Sequence, residues 1–229
     1  MTRAVVLSGG GRYADRWHDQ AATSQRLAEL LARIGVDARI HSLLRPVMED
    51  LSGVDLVVVN CSDGRVDAGF DGDDATWRPA HAGLTAHVAR GGAVIGVHTA
   101  VLAFSDAPDW FDTLGGRWRH GESMHPAIGP ASLTVHTGTH PVVADVRDFT
   151  LHDERYAFLE IAPQVRPLVS HMHDGVRHPL VWAHQVGPAR VIYDALGHGV
   201  ESYDSVERCR LFLREAAWVL HDDDALAAL

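Results

Sequence analysis

The stretch GGAVIGVHTA, residues 91–100, decides the fold. Ala93–Val97 is a short uninterrupted run of apolar and small residues, as expected of a strand covered on both faces. A tight turn and a helix are expected to follow. In many α/β enzymes such a strand-to-helix turn presents a Ser or Cys nucleophile, with a neighbouring glycine leaving room for strained backbone. Here the apex residue is His98. At the positive end of a helix the neutral imidazole is favoured, and it can serve as base, hydrogen-bond donor or metal ligand.

The sequence on the N-terminal side alternates strand and helix patterns. RAVVLS (Arg3–Ser8) is an apolar run ending in Gly9-Gly10-Gly11, which lacks the GxGxxG spacing and reads as a plain turn. Leu27, Leu30, Leu31 and Ile34 recur at helical spacing within residues 17–34, closed by Gly35. VDARIH and DLVVVN read as the second and third strands; a polar loop over residues 71–74 and a helix to about Arg90 lead back to the His98 strand. This βαβαβ order implies a parallel sheet with right-handed crossovers. Ligands of such sheets bind beyond the carboxyl ends of the strands. The loops over residues 9–18 and 60–74, and His98 itself, fall there.

Beyond Ser105 the texture changes. DAPDWFDTLGG predicts a short helix stopped by Gly115-Gly116, then a loop, then strands in SLTVHT, DFTLHDERYAF, VRPLVSHM, HPLVWAHQV and ARVIYDAL. His173-Asp174-Gly175 is a hairpin turn, because Asp-Gly tolerates positive φ. A last helix is expected over residues 205–220, and the acidic tail at 223–229 is expected to fray. Residues 1–222 read as one domain.

The 229 residues suffice for a sizeable core without staples. Thirty acidic against twenty basic residues, the latter arginines in no run, oppose nucleic-acid and anionic-membrane partners. No stretch approaches the length of a membrane span, and MTRAVVLSGGG lacks a signal-peptide pattern. Cys61 and Cys209 are far apart and read as free thiols of a reducing compartment, so a cytoplasmic location is expected. Histidine is the outlier: thirteen of sixteen lie between His81 and His198, pointing to a histidine-lined pocket.

Six motifs run in one order across residues 5–220: GAVIGVHTA, WFDTLGGRWRHG, the HP of THPVV, DERYAF, PLVWAHQVGPARVIYDALGH and FLREAAWVL. The set resembles the ThuA-like, trehalose-utilisation family. The resemblance implies an α/β fold, flavodoxin-like or class I glutamine amidotransferase-like: a mostly parallel central sheet flanked by helices, with additional strands in the second half. Amidotransferases of this fold carry a nucleophilic cysteine at the elbow, whereas this chain has His98, as ThuA-like proteins do. Neither Cys61 nor Cys209 is near in sequence, so thioester chemistry is not expected.

The resemblance further implies a small-molecule carbohydrate partner, trehalose or a related disaccharide, and a pathway link to a sugar oxidoreductase and hence to 3-keto-sugars. It brings His98, His120, Glu154 and His198 forward as catalytic candidates. His18, Asp153, Tyr156 and Trp118 are the substrate-contact candidates. Adjacent strand residues face opposite ways, so only one of Asp153 and Glu154 should face a pocket; Glu154, sharing its face with Tyr156, is preferred. Imidazoles and carboxylates suit sugar hydroxyls and proton transfer beside a keto group, and aromatic faces suit sugar C–H surfaces. The four histidines with Glu154 also form a metal-ligand inventory, without HExxH-like spacing. No cofactor is required by this reading. A metal-dependent hydrolase, and a non-catalytic sugar-binding or assembly module, stand as alternatives, and a homo-oligomer is left open. His171 and His173 read as a solvated hairpin, and His125-Pro126 and His140-Pro141 as turn elements.

Overall fold

The computed structural model describes residues 1–64, 66–107 and 109–229; Arg65 in the loop after the third strand, and Pro108 in DAPDW, lie outside them. Apolar runs buried on both faces form the middle of the sheet. The strands β1 (Arg3–Ser8), β2 (Asp37–His41), β3 (Leu56–Asn60) and β4 (Ala93–Val97) alternate with helices, as the sequence pattern requires. Two-residue β5 (Gly116–Arg117) pairs with β8 (Glu160–Ile161) in a separate ribbon. The remaining strands are β6 (Gly129–Val135), β7 (Phe149–Asp153), β9 (Arg166–His173), β10 (Val176–Val186) and β11 (Ala189–Asp194).

One nine-stranded sheet results, in the order β2-β1-β3-β4-β11-β10-β9-β6-β7. Its first five strands are parallel, and the last four are added antiparallel. Strand β11 returns from the second half of the chain to pair in parallel with β4 in the middle of the sheet, so residues distant in sequence meet at its carboxyl end. The expected hairpin joins β9 to β10, with Asp174 and Gly175 both at positive φ.

Helices α1 (Gln20–Arg33), α2 (Leu44–Glu49), α3 (Ala68–Asp71), α4 (Asp74–Ala89), α5 (Trp110–Leu114), α6 (Val206–Val219) and α7 (Asp223–Ala228) complete the fold. Asp19 caps α1, so that helix begins at Gln20 rather than at residue 17. The acidic tail, expected to fray, forms α7: Asp222 caps it and Leu226 is buried. The helix expected after His98 is a single 3-10 turn, His98–Val101. No helix among the described residues is long and apolar enough to cross a membrane.

Helix α4 packs its Gly83 against the end of α2, where a Cβ would overlap the Met48 carbonyl oxygen. Alanine in a helix interior normally stabilises by about 1 kcal/mol. Gly83→Ala should instead destabilise by about 1–3 kcal/mol, the usual cost of overpacking, seen as a lower urea midpoint. An unchanged or higher midpoint would contradict this packing.

Burial lowers the affinity for protons of His81, His87, His136, His140, His171 and His178, with His140 brought down to about 4. Below about pH 6.5 the unfolded chain binds protons that these folded sites refuse, so stability present above that pH is lost as pH falls toward the folded values. Melting temperature should drop by several degrees from pH 7 to pH 5. A flat profile by calorimetry would show that these rings are not buried in solution.

Candidate active site

The carboxyl ends of β1, β4 and β11 open onto one cluster of side chains. His98 stands at the elbow with φ 46°, a strained value for a non-glycine residue. Several contacts hold it there. The Tyr193 hydroxyl donates to the His98 carbonyl at 2.8 Å, and the Trp110 indole N–H donates to the Ala100 carbonyl at 2.9 Å. At Gly96, just before the elbow, a Cβ would come within 2.6 Å of Leu114 Cδ1, so the strand must be bare there. The short turn supplies little helix dipole; the His98 ring is oriented by a neighbour instead. Its Nδ1 lies 2.6 Å from the Ala195 carbonyl just past β11. A carbonyl only accepts, so Nδ1 donates, and the neutral ring presents Nε2 as a bare acceptor.

Three other parts of the chain converge on that nitrogen. His18 comes from the loop after β1, its Nε2 3.2 Å from His98 Nε2. Glu154, just past β7, places Oε2 3.4 Å from His98 Nε2 and 3.5 Å from His198 Nδ1. The Tyr156 ring stacks on His98 and its hydroxyl lies 3.0 Å from Nε2. One nitrogen or oxygen from each of His18, His98, Glu154 and His198 lies within 4.8 Å of all the others, so these four could hold a metal ion.

Each member is braced from behind. Asp15, three residues before His18, accepts from the Trp17 and His18 backbone N–H groups and from His18 Nδ1 at 2.7 Å. Upstream, buried Arg12 bonds to Asp74 and Asp106 and fastens the same loop. His125 reaches Glu154 Oε1 at 2.9 Å from a half-exposed position, and Trp118 packs edge-on to Tyr156. Solvent reaches the cluster mainly beside His125 and His198.

Burial alone would neutralise these groups, and their mutual contacts overcome it. Burial raises the Glu154 carboxyl, but the close His18, His198 and His98 rings hold it well below the usual carboxylate range. Burial lowers His18, but Asp15 and Glu154 push it up to about 9. Burial raises Asp15, yet His18 brings it down to about 2. Tyr156 is raised well above its ordinary value, first by burial and then by Tyr193 and Glu154, and so stays a neutral donor.

His98, Glu154, His198, His18 and Tyr156 therefore meet, with Trp118 alongside. Asp153 does not: it is buried facing away, accepting from Glu154, Gly197 and His198 N–H groups and from the Ser202 hydroxyl. It fixes the loop that presents His198. His120 lies exposed in the turn past β5 and is not one of the four clustered groups. His171, expected in a solvated hairpin, is buried and donates from Nε2 to the Tyr156 carbonyl at 2.9 Å. Sequence reading missed Asp15, His125 and the Ala195 carbonyl. Only Asp15 had a local signal, its i,i+3 spacing to His18.

Cavity size does not mark this centre. Clefts of about 560 and 520 Å³ open near Phe70 and Trp77 and near His81 and Trp110, and neither is lined by a cluster member. The convergence of ionisable groups is the better guide, because no packing need explains it. Cys61 and Cys209 are unpaired thiols, and no contact brings either to the cluster.

Comparison with known proteins agrees with this fold. No curated protein matches the chain. Among solved structures, a ThuA-like protein from Parabacteroides merdae superposes with a TM-score of 0.76 at 21% identity, over 96% of this chain and 90% of that one. A ThuA-like protein from Bacteroides uniformis gives 0.73 at 16% identity, over 95% and 91%. PurLQS from Thermotoga maritima gives 0.57 at 13% identity, over 93% and 96%. At these identities the likeness establishes the fold, class I glutamine amidotransferase-like with a large parallel core. The ThuA family model, described as trehalose utilisation, matches residues 3–219, and the chain belongs to that family.

Proposed function

We propose that this chain is an enzyme of carbohydrate utilisation that acts on a di- or monosaccharide derivative bearing a keto group. The observation that carries the reading is the convergence of His98, His18, His198, Glu154 and Tyr156 at the sheet's carboxyl end. A proton leaves the carbon beside a ketone when a base takes it and a positive pole meets the developing enolate oxygen. The cluster has both elements. His98, as base or ligand, is its central group. The charge held between His18 and its two carboxylate neighbours is the positive pole, and Tyr156 is a neutral donor. The exposed flank of the Trp118 and Tyr156 pair suits the C–H face of a sugar ring. The family's description, trehalose utilisation, supports the substrate class. With no thiol at the elbow, the reaction is not amidotransfer.

A thermal-shift and NMR screen of trehalose, sucrose and their 3-keto derivatives tests this. Ligand at about ten times its dissociation constant stabilises by about 1.4 kcal/mol, or about 3–6 °C here. A keto-sugar that shifts the melt and perturbs histidine resonances supports the reading. Indifference to every sugar at 10-fold and higher excess over about 1 mM would remove it.

A further inference from the structure

We infer that His18, His98, Glu154 and His198 together bind one divalent first-row transition ion, of which zinc is the probe. The inference rests on the reading that this cluster is the working centre, and it assigns His98 and His18 the part of ligands, so that the ion replaces a proton on His18 as the positive pole.

The separations fit an ion. Ligand atoms at 2.0–2.1 Å from a tetrahedral metal lie about 3.3 Å from one another. Here three of the measured pairs are 3.2, 3.4 and 3.5 Å, and the fourth is 4.0 Å. Three imidazole nitrogens and one carboxylate oxygen form a borderline donor set, suited to zinc and its neighbours rather than to calcium or magnesium.

The hydrogen bonding of the cluster is left incomplete without one. His98 Nδ1 is committed to the Ala195 carbonyl and His18 Nδ1 to Asp15, so both rings direct Nε2 inward. A proton on one of them satisfies that single 3.2 Å contact. His198 Nδ1 is still buried with no hydrogen-bond partner. A cation satisfies all the inward lone pairs at once.

The surroundings are those of a built metal site. Metal-ligating histidines donate their other nitrogen to a carboxylate or backbone carbonyl, which fixes tautomer and orientation. His18 does so to Asp15, and His98 to Ala195. The second oxygen of Glu154 is engaged by His125, and Asp153 clamps the backbone of His198. The ligands come from four separate segments, following β1, β4, β7 and β11, which explains the absence of a compact sequence motif.

The test uses the full chain, stripped with a chelator and titrated with zinc by calorimetry, with bound metal counted by elemental analysis. One ion per chain is expected. His98→Asn and Glu154→Gln should each weaken binding by 100-fold or more, and Asp15→Asn by about 10–100-fold. His173→Asn, in the separate histidine group near the hairpin, should leave binding unchanged. Circular dichroism shows whether each variant is folded. Failure of the stripped chain to take up stoichiometric zinc, or equal affinity in the folded Glu154→Gln variant, overturns the inference, as does loss of the ion in His173→Asn alone. Keto-sugar turnover is measured in the same samples. Turnover by chain that binds no zinc would refute the metal and keep the carbohydrate reading; zinc bound without any effect on keto-sugars would do the reverse.

Discussion

Replacing His98 with asparagine is expected to lower keto-sugar turnover by about 10²–10⁴-fold while leaving a folded protein. The kinetic effect is large because this ring is where every other group meets: its Nε2 faces His18, Glu154 and Tyr156. Asparagine is the right probe because His98 sits at φ 46°, a region asparagine tolerates better than most residues. Alanine would add backbone strain to the loss of the ring. Asparagine also keeps a side-chain N–H where Nδ1 donates to the Ala195 carbonyl, while removing the inward Nε2. The variant should melt within several degrees of the parent, since about 1 kcal/mol corresponds to about 2–4 °C in a chain of this length. Turnover within a few-fold of the parent would mean that the elbow ring is structural. The assembly-module alternative would then gain ground.

The second large effect is on stability. Arg208→Met should cost about 3–5 kcal/mol, the usual result of removing one partner from a fully buried ion pair. Arg208 Nη1 lies 2.8 Å from Asp194 Oδ2, and both side chains are sealed from solvent. Glu215 is buried beside them; burial, then Asp194, raises its carboxyl well above the usual range, so it is held neutral. Without Arg208, Asp194 is left as an uncompensated buried charge. The double variant Arg208→Met with Asp194→Leu should recover most of the loss, because removing both charges also removes the desolvation cost. Asp194 ends β11 and accepts from the Leu196 N–H, so the pair also shapes the loop bearing the Ala195 carbonyl and His198. Denaturant unfolding of the single and double variants decides the matter. A single variant as stable as the parent would mean that the pair is hydrated in solution.

These residues show how far the sequence could be read. The parallel half was legible because DLVVVN and GAVIGV are continuous apolar runs between helical repeats, and only a sheet covered on both faces uses such strands. The elbow was legible because a polar residue follows a buried strand there. Glu154 and Tyr156 both face His98, but from beyond the end of β7 at Asp153 rather than through the strand alternation the sequence suggested. What escaped depended on contacts between distant segments. Asp153 stood as a contact candidate beside the preferred Glu154, and only the loop at 197–202 shows its carboxylate closed over. His120 and His125 sit five residues apart in one loop-rich stretch, and nothing local tells which of them turns inward. The helix expected after His98 fails to form because the chain there is held by Tyr193 and Trp110 from elsewhere in the fold. The tail holds as a helix because one apolar residue, Leu226, finds a buried place.

The central claim is that these distant side chains form one centre that activates the carbon beside a sugar ketone. Proton NMR of a 3-keto-disaccharide incubated with the chain in deuterium oxide measures that activation directly. The expected result is deuterium at a carbon flanking the ketone, in recovered substrate or in product, lost with Glu154→Gln and with His98→Asn. Exchange no faster than in buffer, or equal exchange by the folded variants, would contradict it.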